Sequence, residues 1–319
     1  MKERKIGQKT ALLFPGQGTQ EVGMGEKLCR KYSIARHIYR TADWVLDYPI
    51  RDISFKGPEE KLNKTIYTQP AILVFNHALY EVLRDRKDFC TPAFVAGNSL
   101  GEYNALLTAG AFSFEGALKL IQARAESMQR ACDTNPGGLL AVRNPSEEIK
   151  DKLMELGLEE ALFNTQEQVV FGGSNDSLDE AVSWFQQNNP RGATRLNVAG
   201  AFHTSLMKPA VEPFSKALKK VEIRDCEIPV IANTTAEPIR KAEEIRQELI
   251  NQLTRPVLWH KTIVYLDKYG VRQIFEVGEK KILTNMVNRI ITGGAIGTMT
   301  IAGGVIAAVL WSRHHPHKS

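Results

Sequence analysis

The sequence has 319 residues, of which 43% are apolar and 24% are charged, with a formal net charge of +5. These fractions are ordinary for a globular protein and indicate neither a disordered nor a fibrous chain. No block of like charges suggests a nucleic-acid-binding arm, and the four cysteines form no CxxC pair, which argues against a metal site or a disulfide framework.

The N-terminal part predicts a strand, a loop and a long helix. The start, MKERKIGQKT, is charged and precedes only a short apolar run, so we expect no signal peptide and a cytoplasmic protein with reduced thiols. Residues 11–14 (ALLF) predict a buried strand that ends in the loop PGQGTQ. Residues 68–86 predict a helix, because the apolar positions Ile72, Phe75, Leu79 and Leu83 recur every three or four residues.

A serine then stands between a predicted strand and a predicted helix. Residues 93–96 (AFVA) predict the strand, 100–110 (LGEYNALLTAG) predict the helix, and GNSLG between them matches G-x-S-x-G. Ser99 would project from a tight turn, with the backbone N–H of Leu100 and the helix N-terminus positioned for a developing oxyanion. A chance match to so short a pattern is the alternative.

A serine nucleophile needs a base, and His203 is the candidate among seven histidines. It lies in VAGAFHTSLM, where a small domain returns the chain to a larger one, and such a seam is a common place for a site. A histidine of the core is the alternative. For His37 we expect a surface position, and for His77 and His260 a hydrogen-bonded structural role; the others lie in the tail.

Arg124 is a charge on an apolar helix face. In the helix predicted over 114–130, it is three or four residues from Leu120, Ile121 and Met128, and residues at those spacings share a face. The side chain could extend to solvent from the edge of that face. If it is buried it needs an anionic partner, and a substrate carboxylate held by two parallel hydrogen bonds would supply one.

The segment 133–200 has a different order of elements. It predicts strand, helix, two strands, helix and strand, which is the order of a ferredoxin-like unit. The chain therefore divides into a large domain in two parts, an inserted small domain and an apolar tail, at 1–132, 133–200, 201–289 and 290–319.

The tail contains 22 residues without a charge, from Ile290 to Trp311. That length could span a bilayer, and Gly293 and Gly297 have the spacing of packed membrane helices. Its glycines and threonines weaken helix formation in water, so a self-associating or flexible tail is the alternative to a membrane anchor.

Four motifs together carry a resemblance to a known family. LLFPGQGTQ, the segment from GNSLGEYNALL to ARAESMQ, GAFHTSLMKPA and QLTRPVLW closely resemble the malonyl-CoA:acyl carrier protein transacylase family, in order, from about 11 to 289. The resemblance implies an α/β-hydrolase-like large domain with an inserted ferredoxin-like small domain. It implies transfer of a malonyl group from malonyl-CoA, as substrate, to the phosphopantetheine thiol of an acyl carrier protein, without a cofactor or metal.

The family's functional residues map onto this chain one by one. Its nucleophile falls on Ser99, its histidine on His203 and its carboxylate-binding arginine on Arg124. Its oxyanion hole falls on the backbone N–H groups of Gln17 and Leu100. Gln252 matches the residue whose backbone carbonyl steadies the histidine in place of a triad carboxylate.

Two positions depart from the family pattern. Asn98 stands where a histidine usually precedes the serine, and Leu162 stands where an asparagine is frequent, although Asn164 of the same segment is present. Both departures put rate and substrate positioning in doubt, and the resemblance says nothing about the tail.

The resemblance leaves the partner and the pathway open. Lys208, Lys219 and Lys220 could contact an acidic carrier, with an ordinary solvated surface as the alternative, and we expect a monomer. The segments GEYNAL and FSFEGALKLIQ are more similar to stand-alone acyltransferases that serve polyketide synthases than to the enzyme of fatty acid synthesis. The alternative functions are an acyl hydrolase of carrier-bound groups and a non-catalytic docking subunit.

Overall fold

The computed structural model of the chain describes residues 9–87, 89–291 and 296–301. They form a mixed α/β structure with two β-sheets, which confirms the predicted α/β class. The strands are β1 (Lys9–Phe14), β2 (Phe94–Gly97), β3 (Gly137–Arg143), β4 (Glu159–Thr165), β5 (Gln168–Ser174), β6 (Ala193–Arg195), β7 (Val230–Ile231), β8 (Pro238–Ile239), β9 (Val271–Val277) and β10 (Gly297–Ile301).

The helices connect these strands and cover the sheets. They are α1 (Glu26–Lys31), α2 (Ser33–Leu46), α3 (Ile50–Lys56), α4 (Glu59–Leu62), α5 (Thr65–Arg84), α6 (Gly101–Thr108), α7 (Phe114–Thr134), α8 (Glu147–Glu155), α9 (Asn175–Asn188), α10 (Lys208–Leu218), α11 (Ala242–Asn251), α12 (Trp259–Lys268) and α13 (Ile282–Ile290). The helices predicted over 68–86, 100–110 and 114–130 correspond to α5, α6 and α7.

The larger sheet has the strand order β10-β9-β1-β2-β7-β8 within the described residues, and only the β7–β8 pair is antiparallel. Successive side chains of β1 point to opposite faces. Leu12 and Phe14 therefore pack in the core with α2, α5 and α7, whereas Ala11 and Leu13 pack on the other side with α12 and α13. Helices on both faces explain why ALLF is uninterruptedly apolar.

The smaller sheet is antiparallel and has the order β4-β5-β3-β6. Leu140, Val142 and Phe171 of this sheet pack against α8 and α9 in a core of their own. The predicted strands and helices of 133–200 all form, although the last strand is shorter than expected and ends at Arg195. Hydrogen bonds between the backbone at 161–163 and Val257 join this sheet to the rest of the chain.

The apolar stretch from Ile290 to Trp311 does not form one continuous helix. Its residues Gly297–Ile301 are β10, which pairs parallel with β9 at the edge of the larger sheet. No helix among the described residues is long and apolar enough to cross a membrane. The rest of the predicted anchor, at 292–295 and 302–311, lies outside the described residues.

The larger sheet brings two of the sequence motifs to one edge. Phe14 at the end of β1 pairs with Gly97 at the end of β2, so the loop PGQGTQ and the turn that carries Ser99 both begin at the carboxyl ends of neighbouring parallel strands. This edge is the usual place for a site in such sheets.

Candidate active site

Ser99 lies on a sharp turn between β2 and α6. Its backbone is in the left-handed region, with φ of +51°, which a residue other than glycine adopts only when its surroundings enforce it. A Cβ on Gly97 would lie 1.9 Å from the carbonyl carbon of Gly101, and a Cβ on Gly101 would lie 1.9 Å from the carbonyl oxygen of Phe14. Both glycines of the motif are therefore needed for the close packing of this turn.

Asn233, which follows shortly after β7, holds the turn in place. Its Oδ1 accepts a hydrogen bond from the Ser99 N–H at 2.7 Å, and its Nδ2 donates to the Gly97 carbonyl at 2.7 Å. These two bonds flank the strained residue and stabilise its conformation. The sequence analysis missed Asn233, although its position directly after the strand-like segment EIPVIA is a usable signal, since polar residues at strand ends line sites in parallel sheets.

His203 contacts the serine directly. Its Nε2 lies 2.7 Å from Ser99 Oγ, and its Nδ1 lies 2.7 Å from the carbonyl oxygen of Gln252. A carbonyl only accepts, so Nδ1 carries the proton and Nε2 offers its lone pair to the serine O–H. The structure thus places both contacts where the family resemblance implied them.

His203 is also buried, with 3% of its surface exposed. Burial lowers its pKa to about 3, the positive charge of Arg124 acts in the same direction, and the hydrogen bond to Gln252 opposes both. The ring is therefore neutral at physiological pH, which is the state in which it can take a proton from Ser99.

Arg124 is fully inside the protein, so the alternative that it reaches solvent is wrong. It is 1% exposed, and its Nη2 donates to Ser99 Oγ at 3.2 Å and to Gln252 Oε1 at 3.0 Å. Its Nη1 donates to Gln69 Oε1 at 2.6 Å, and the guanidinium lies over the ring of Tyr103, 5.4 Å from its centroid.

All of these partners of Arg124 are uncharged, and its Nε has no hydrogen-bond partner among the described residues. A buried guanidinium with neutral partners binds a carboxylate strongly, because the anion supplies the charge and the paired acceptors that the protein does not. The sequence analysis missed Gln69, which lies on α5 and is completely buried.

A cleft of about 720 Å³ opens onto these side chains. Ser99, His203 and Arg124 line it together with Gln17 and Leu100. In the described part of the chain, no protein atom accepts a hydrogen bond from the backbone N–H of Gln17 or of Leu100. Both N–H groups can therefore donate to an oxygen of a bound molecule.

The residues that depart from the family pattern also line this cleft. Nδ2 of Asn98 and Oδ1 of Asn164 are buried, and neither has a hydrogen-bond partner among the described residues. Leu162 presents an apolar side chain to the same cleft. Asn98 therefore keeps a polar donor beside Ser99, whereas Leu162 offers no hydrogen bond at its position.

The remaining candidates lie away from the cleft. His77 is partly buried and stacked on Phe114, with ring centroids 4.5 Å apart, but its buried Nδ1 lacks the hydrogen bond that we expected. His37 is exposed, as predicted. The lysines proposed for carrier contact, Lys208, Lys219 and Lys220, are exposed on α10 and just beyond it.

Comparison with known proteins gives consistent matches over most of the chain. A family model described as an acyl transferase domain matches residues 11–313, so the family pattern extends past 289 into the stretch that the sequence analysis had left outside it. The chain is 35% identical to the malonyl CoA-acyl carrier protein transacylase of Bacillus subtilis (strain 168), over 88% of this chain and 90% of that protein.

Two further relatives belong to polyketide synthesis. The polyketide biosynthesis protein ThaF of Burkholderia thailandensis is 37% identical over 93% of this chain, but the match spans only 26% of ThaF. A solved structure of a malonyl transacylase, PlMCAT, in complex with its type II polyketide synthase acyl carrier protein, AntF, superposes with a TM-score of 0.87 at 31% identity, covering 92% of this chain and 96% of the other.

Proposed function

Because the chain belongs to the acyl transferase family that includes the malonyl CoA-acyl carrier protein transacylases, we propose that it transfers a malonyl group from malonyl-CoA to the phosphopantetheine thiol of an acyl carrier protein. The observation that carries this proposal is the buried guanidinium of Arg124, which lies 3.2 Å from the oxygen of a serine already paired with a histidine. Nucleophile, base and a cation for a carboxylate thus meet in one cleft.

The first half of the reaction forms a malonyl-serine ester. Ser99 Oγ attacks the thioester carbonyl while Nε2 of His203 takes its proton. The backbone N–H groups of Gln17 and Leu100 donate to the oxyanion that forms. The C–S bond then breaks, and the coenzyme A thiolate leaves with the proton from His203.

The second half regenerates the serine. The phosphopantetheine thiol of the carrier enters the same cleft and gives its proton to His203 as its sulfur attacks the ester carbonyl. The C–O bond to Ser99 breaks, Ser99 regains a proton from His203, and malonyl-carrier is released. The proposed mechanism uses no cofactor and no metal.

Arg124 selects the acyl group. The free carboxylate of a malonyl group can pair with the guanidinium in two parallel hydrogen bonds, whereas an acetyl group leaves the buried charge unpaired. A charge-assisted hydrogen bond contributes about 1.5 to 3 kcal/mol, which corresponds to roughly ten- to a hundredfold in selectivity.

The acyl carrier protein is the partner, and the reaction supplies malonyl-carrier for fatty acid or polyketide synthesis. We further propose a stand-alone acyltransferase that serves a polyketide synthase. The similarity to ThaF and to the carrier-bound PlMCAT supports this. Transfer rates to carrier proteins of the two pathways, measured side by side, would test it.

The finer fold assignment is also part of the proposal. The order β4-β5-β3-β6, with α8 and α9 on one core, supports a ferredoxin-like small domain inserted in an α/β-hydrolase-like large domain. We propose a monomer, because Ser99, His203 and Arg124 all come from one chain. Location in the cytoplasm, or membrane association through the tail at 290–311, stays a prediction that cell fractionation with and without residues 290–319 would test.

One experiment separates this function from its alternatives. Intact mass spectrometry after incubation with malonyl-CoA should show one malonyl adduct, which Ser99→Ala abolishes. The absence of an adduct on the unaltered protein would favour a docking subunit. Rapid release of free malonate, unaffected by carrier protein, would favour a hydrolase. Arg124 argues against the hydrolase, because an enzyme that removes monoacyl groups has no use for a carboxylate-binding arginine.

A further inference from the structure

The side chain of Gln252 connects the residues of the site, in addition to the backbone carbonyl that binds His203. It is completely buried, and its Oε1 accepts from Arg124 Nη2 at 3.0 Å. Its Nε2 donates to the backbone carbonyl of Ser99 at 3.0 Å and to Oε2 of Glu102. One residue therefore touches the base, the serine turn and the carboxylate-binding arginine.

The direction of the Gln252 amide decides whether it can orient Arg124. With Oε1 toward the guanidinium, the amide accepts one of its N–H groups. With the amide reversed, its NH₂ group would face Arg124, and two donors would meet without an acceptor. A buried donor left without a partner is costly, so the reversed amide would displace the guanidinium.

Two acceptors set this direction, the backbone carbonyl of Ser99 and the side chain of Glu102. Glu102 lies in the first turn of α6, three residues after Ser99, and it is completely buried. Its Oε1 accepts from the backbone N–H of Asn233 at 2.9 Å, and its Oε2 accepts from Gln252 Nε2. Both oxygens of Glu102 accept in this arrangement, so the NH₂ end of Gln252 lies on the Glu102 side. Burial and the charge of Glu248 raise the pKa of Glu102, whereas the hydrogen bonds from Asn233 and Gln252 and the charge of Arg124 favour the ionised form that accepts.

We propose that Glu102 is a positioning residue for malonyl selectivity: by fixing the Gln252 amide, it holds the Arg124 guanidinium where the malonyl carboxylate binds. In the described part of the chain Glu102 makes no direct hydrogen bond to Arg124. Burial lowers the pKa of Arg124 and the nearby charge of Glu102 opposes this, but the contact that can orient the guanidinium is the one through Gln252. The inference rests on the proposed malonyl transfer and adds a residue that selects the acyl group without touching it.

The isosteric variant Glu102→Gln tests this inference, because it replaces one acceptor by an NH₂ group. The N–H of Asn233 belongs to the backbone and cannot turn away, so the new amide keeps its oxygen there. Its NH₂ group then faces the NH₂ group of Gln252, and the two donors repel. We expect kcat/KM for malonyl-CoA to fall about tenfold or more relative to that for acetyl-CoA.

Glu248→Gln is the matched control. Glu248 is also buried, at 4% exposure, and its carboxylate accepts from the backbone N–H and the hydroxyl of Thr234 without a contact to the Gln252 side chain. The control therefore removes a buried carboxylate of the same neighbourhood. The charge of Glu248 contributes to the raised pKa of Glu102, after the larger effect of burial, but its replacement leaves the Gln252 amide and both of its acceptors in place. The malonyl-to-acetyl ratio should therefore stay within about twofold of the unaltered protein.

A second variant keeps the inference testable if Glu102→Gln does not fold. Gln252→Leu retains the backbone carbonyl for His203 and removes only the amide, and it should lower the malonyl-to-acetyl ratio to a similar extent. In the double variant, Glu102→Gln should cause no further loss of the ratio, because its effect passes through the missing amide.

The outcomes separate this inference from the proposed function. An unchanged ratio in Glu102→Gln, an unchanged ratio in Gln252→Leu, or a full additional loss in the double variant would overturn the positioning role. A fall in the ratio that Glu248→Gln reproduces would overturn it as well. If the unaltered protein forms no malonyl adduct, the proposed function fails instead.

Discussion

The two halves of the site differ in how completely their hydrogen bonds are satisfied. On the nucleophile side, Ser99 and His203 form a continuous chain of bonds that ends on the carbonyl of Gln252. On the other side, Arg124 contacts only neutral groups, and its Nε has no partner among the described residues. The hydrogen bonds of the first half are satisfied within the protein, whereas Arg124 keeps a positive charge and an N–H group that a substrate carboxylate could pair with.

This difference has an energetic reason. A buried cation that forms no ion pair costs several kcal/mol, and in this protein the charge of Glu102, which is not hydrogen-bonded to Arg124, offsets only part of that cost. A malonyl carboxylate removes the cost on binding, and an acetyl group does not. The reacting groups are therefore arranged for any thioester, while acceptance of the acyl group depends on the charge of Arg124.

The largest effect on the rate should come from a substitution that removes the base beside Ser99. His203→Asn removes the base but suits the left-handed backbone at this position, where φ is +64°. The rate of adduct formation should fall about 10²- to 10⁴-fold for malonyl-CoA and acetyl-CoA alike, because the base serves both substrates. Rapid-quench mass spectrometry would measure both rates, and a loss confined to malonyl-CoA would contradict the division into two halves.

A substitution of Arg124 should change the preference between malonyl-CoA and acetyl-CoA but leave the acyl transfer reaction itself intact. Arg124→Met keeps an apolar side chain of similar length and removes the charge. The malonyl-to-acetyl ratio of kcat/KM should fall roughly ten- to a hundredfold, because malonyl loses its ion pair and acetyl loses nothing. Competition between the two thioesters in one reaction would give the ratio directly, and an unchanged ratio would refute the selectivity role.

Asn233→Ala should weaken the nucleophile side without affecting the choice of acyl group. The variant leaves the Ser99 N–H and the Gly97 carbonyl without their partners, at a cost of about 1 to 3 kcal/mol in the free energy of unfolding. Both thioesters should react more slowly by a similar factor. Urea denaturation and paired rate measurements would show this, and a selective loss of malonyl transfer would place Asn233 with Arg124 instead.

The smallest effect is expected in the pH dependence of kcat/KM. It also reports how the charge of Arg124 on one side of the site affects the pKa of His203 on the other. Because the pKa of His203 is lowered to about 3, the base stays neutral as the pH falls, and kcat/KM should change little between about pH 7 and 5. Removal of the neighbouring positive charge in Arg124→Met should raise this pKa and bring the acid limb to higher pH. An acid limb at the ordinary histidine pKa of about 6.5 in the unaltered protein would contradict this account.

Local patterns in the sequence were sufficient for much of the fold. The strand ALLF, the helices α5, α6 and α7 and the order of elements in 133–200 follow from apolar periodicity and from glycine and proline positions, which act over a few residues. The serine turn was predictable for the same reason, since strand, G-x-S-x-G and helix are contiguous. The end of β6 at Arg195 and the strand β10 did not follow from local patterns, because the neighbouring strands decide them by pairing.

The composition of the site was decided by the tertiary structure. His203 and Ser99 are 104 positions apart in the sequence, and Gln252 and Ser99 are 153 apart. The position of His203 after the small domain made it a candidate, but only the family resemblance indicated the Gln252 backbone. Asn233, Gln69 and Glu102 are ordinary polar residues in the sequence, and folding alone makes them partners of the serine turn and of Arg124. The sequence by itself determined the helices, the strands and the serine turn, because these depend on neighbouring residues. Only the tertiary structure decided the hydrogen bonds of the site, because they join segments that are far apart in the sequence.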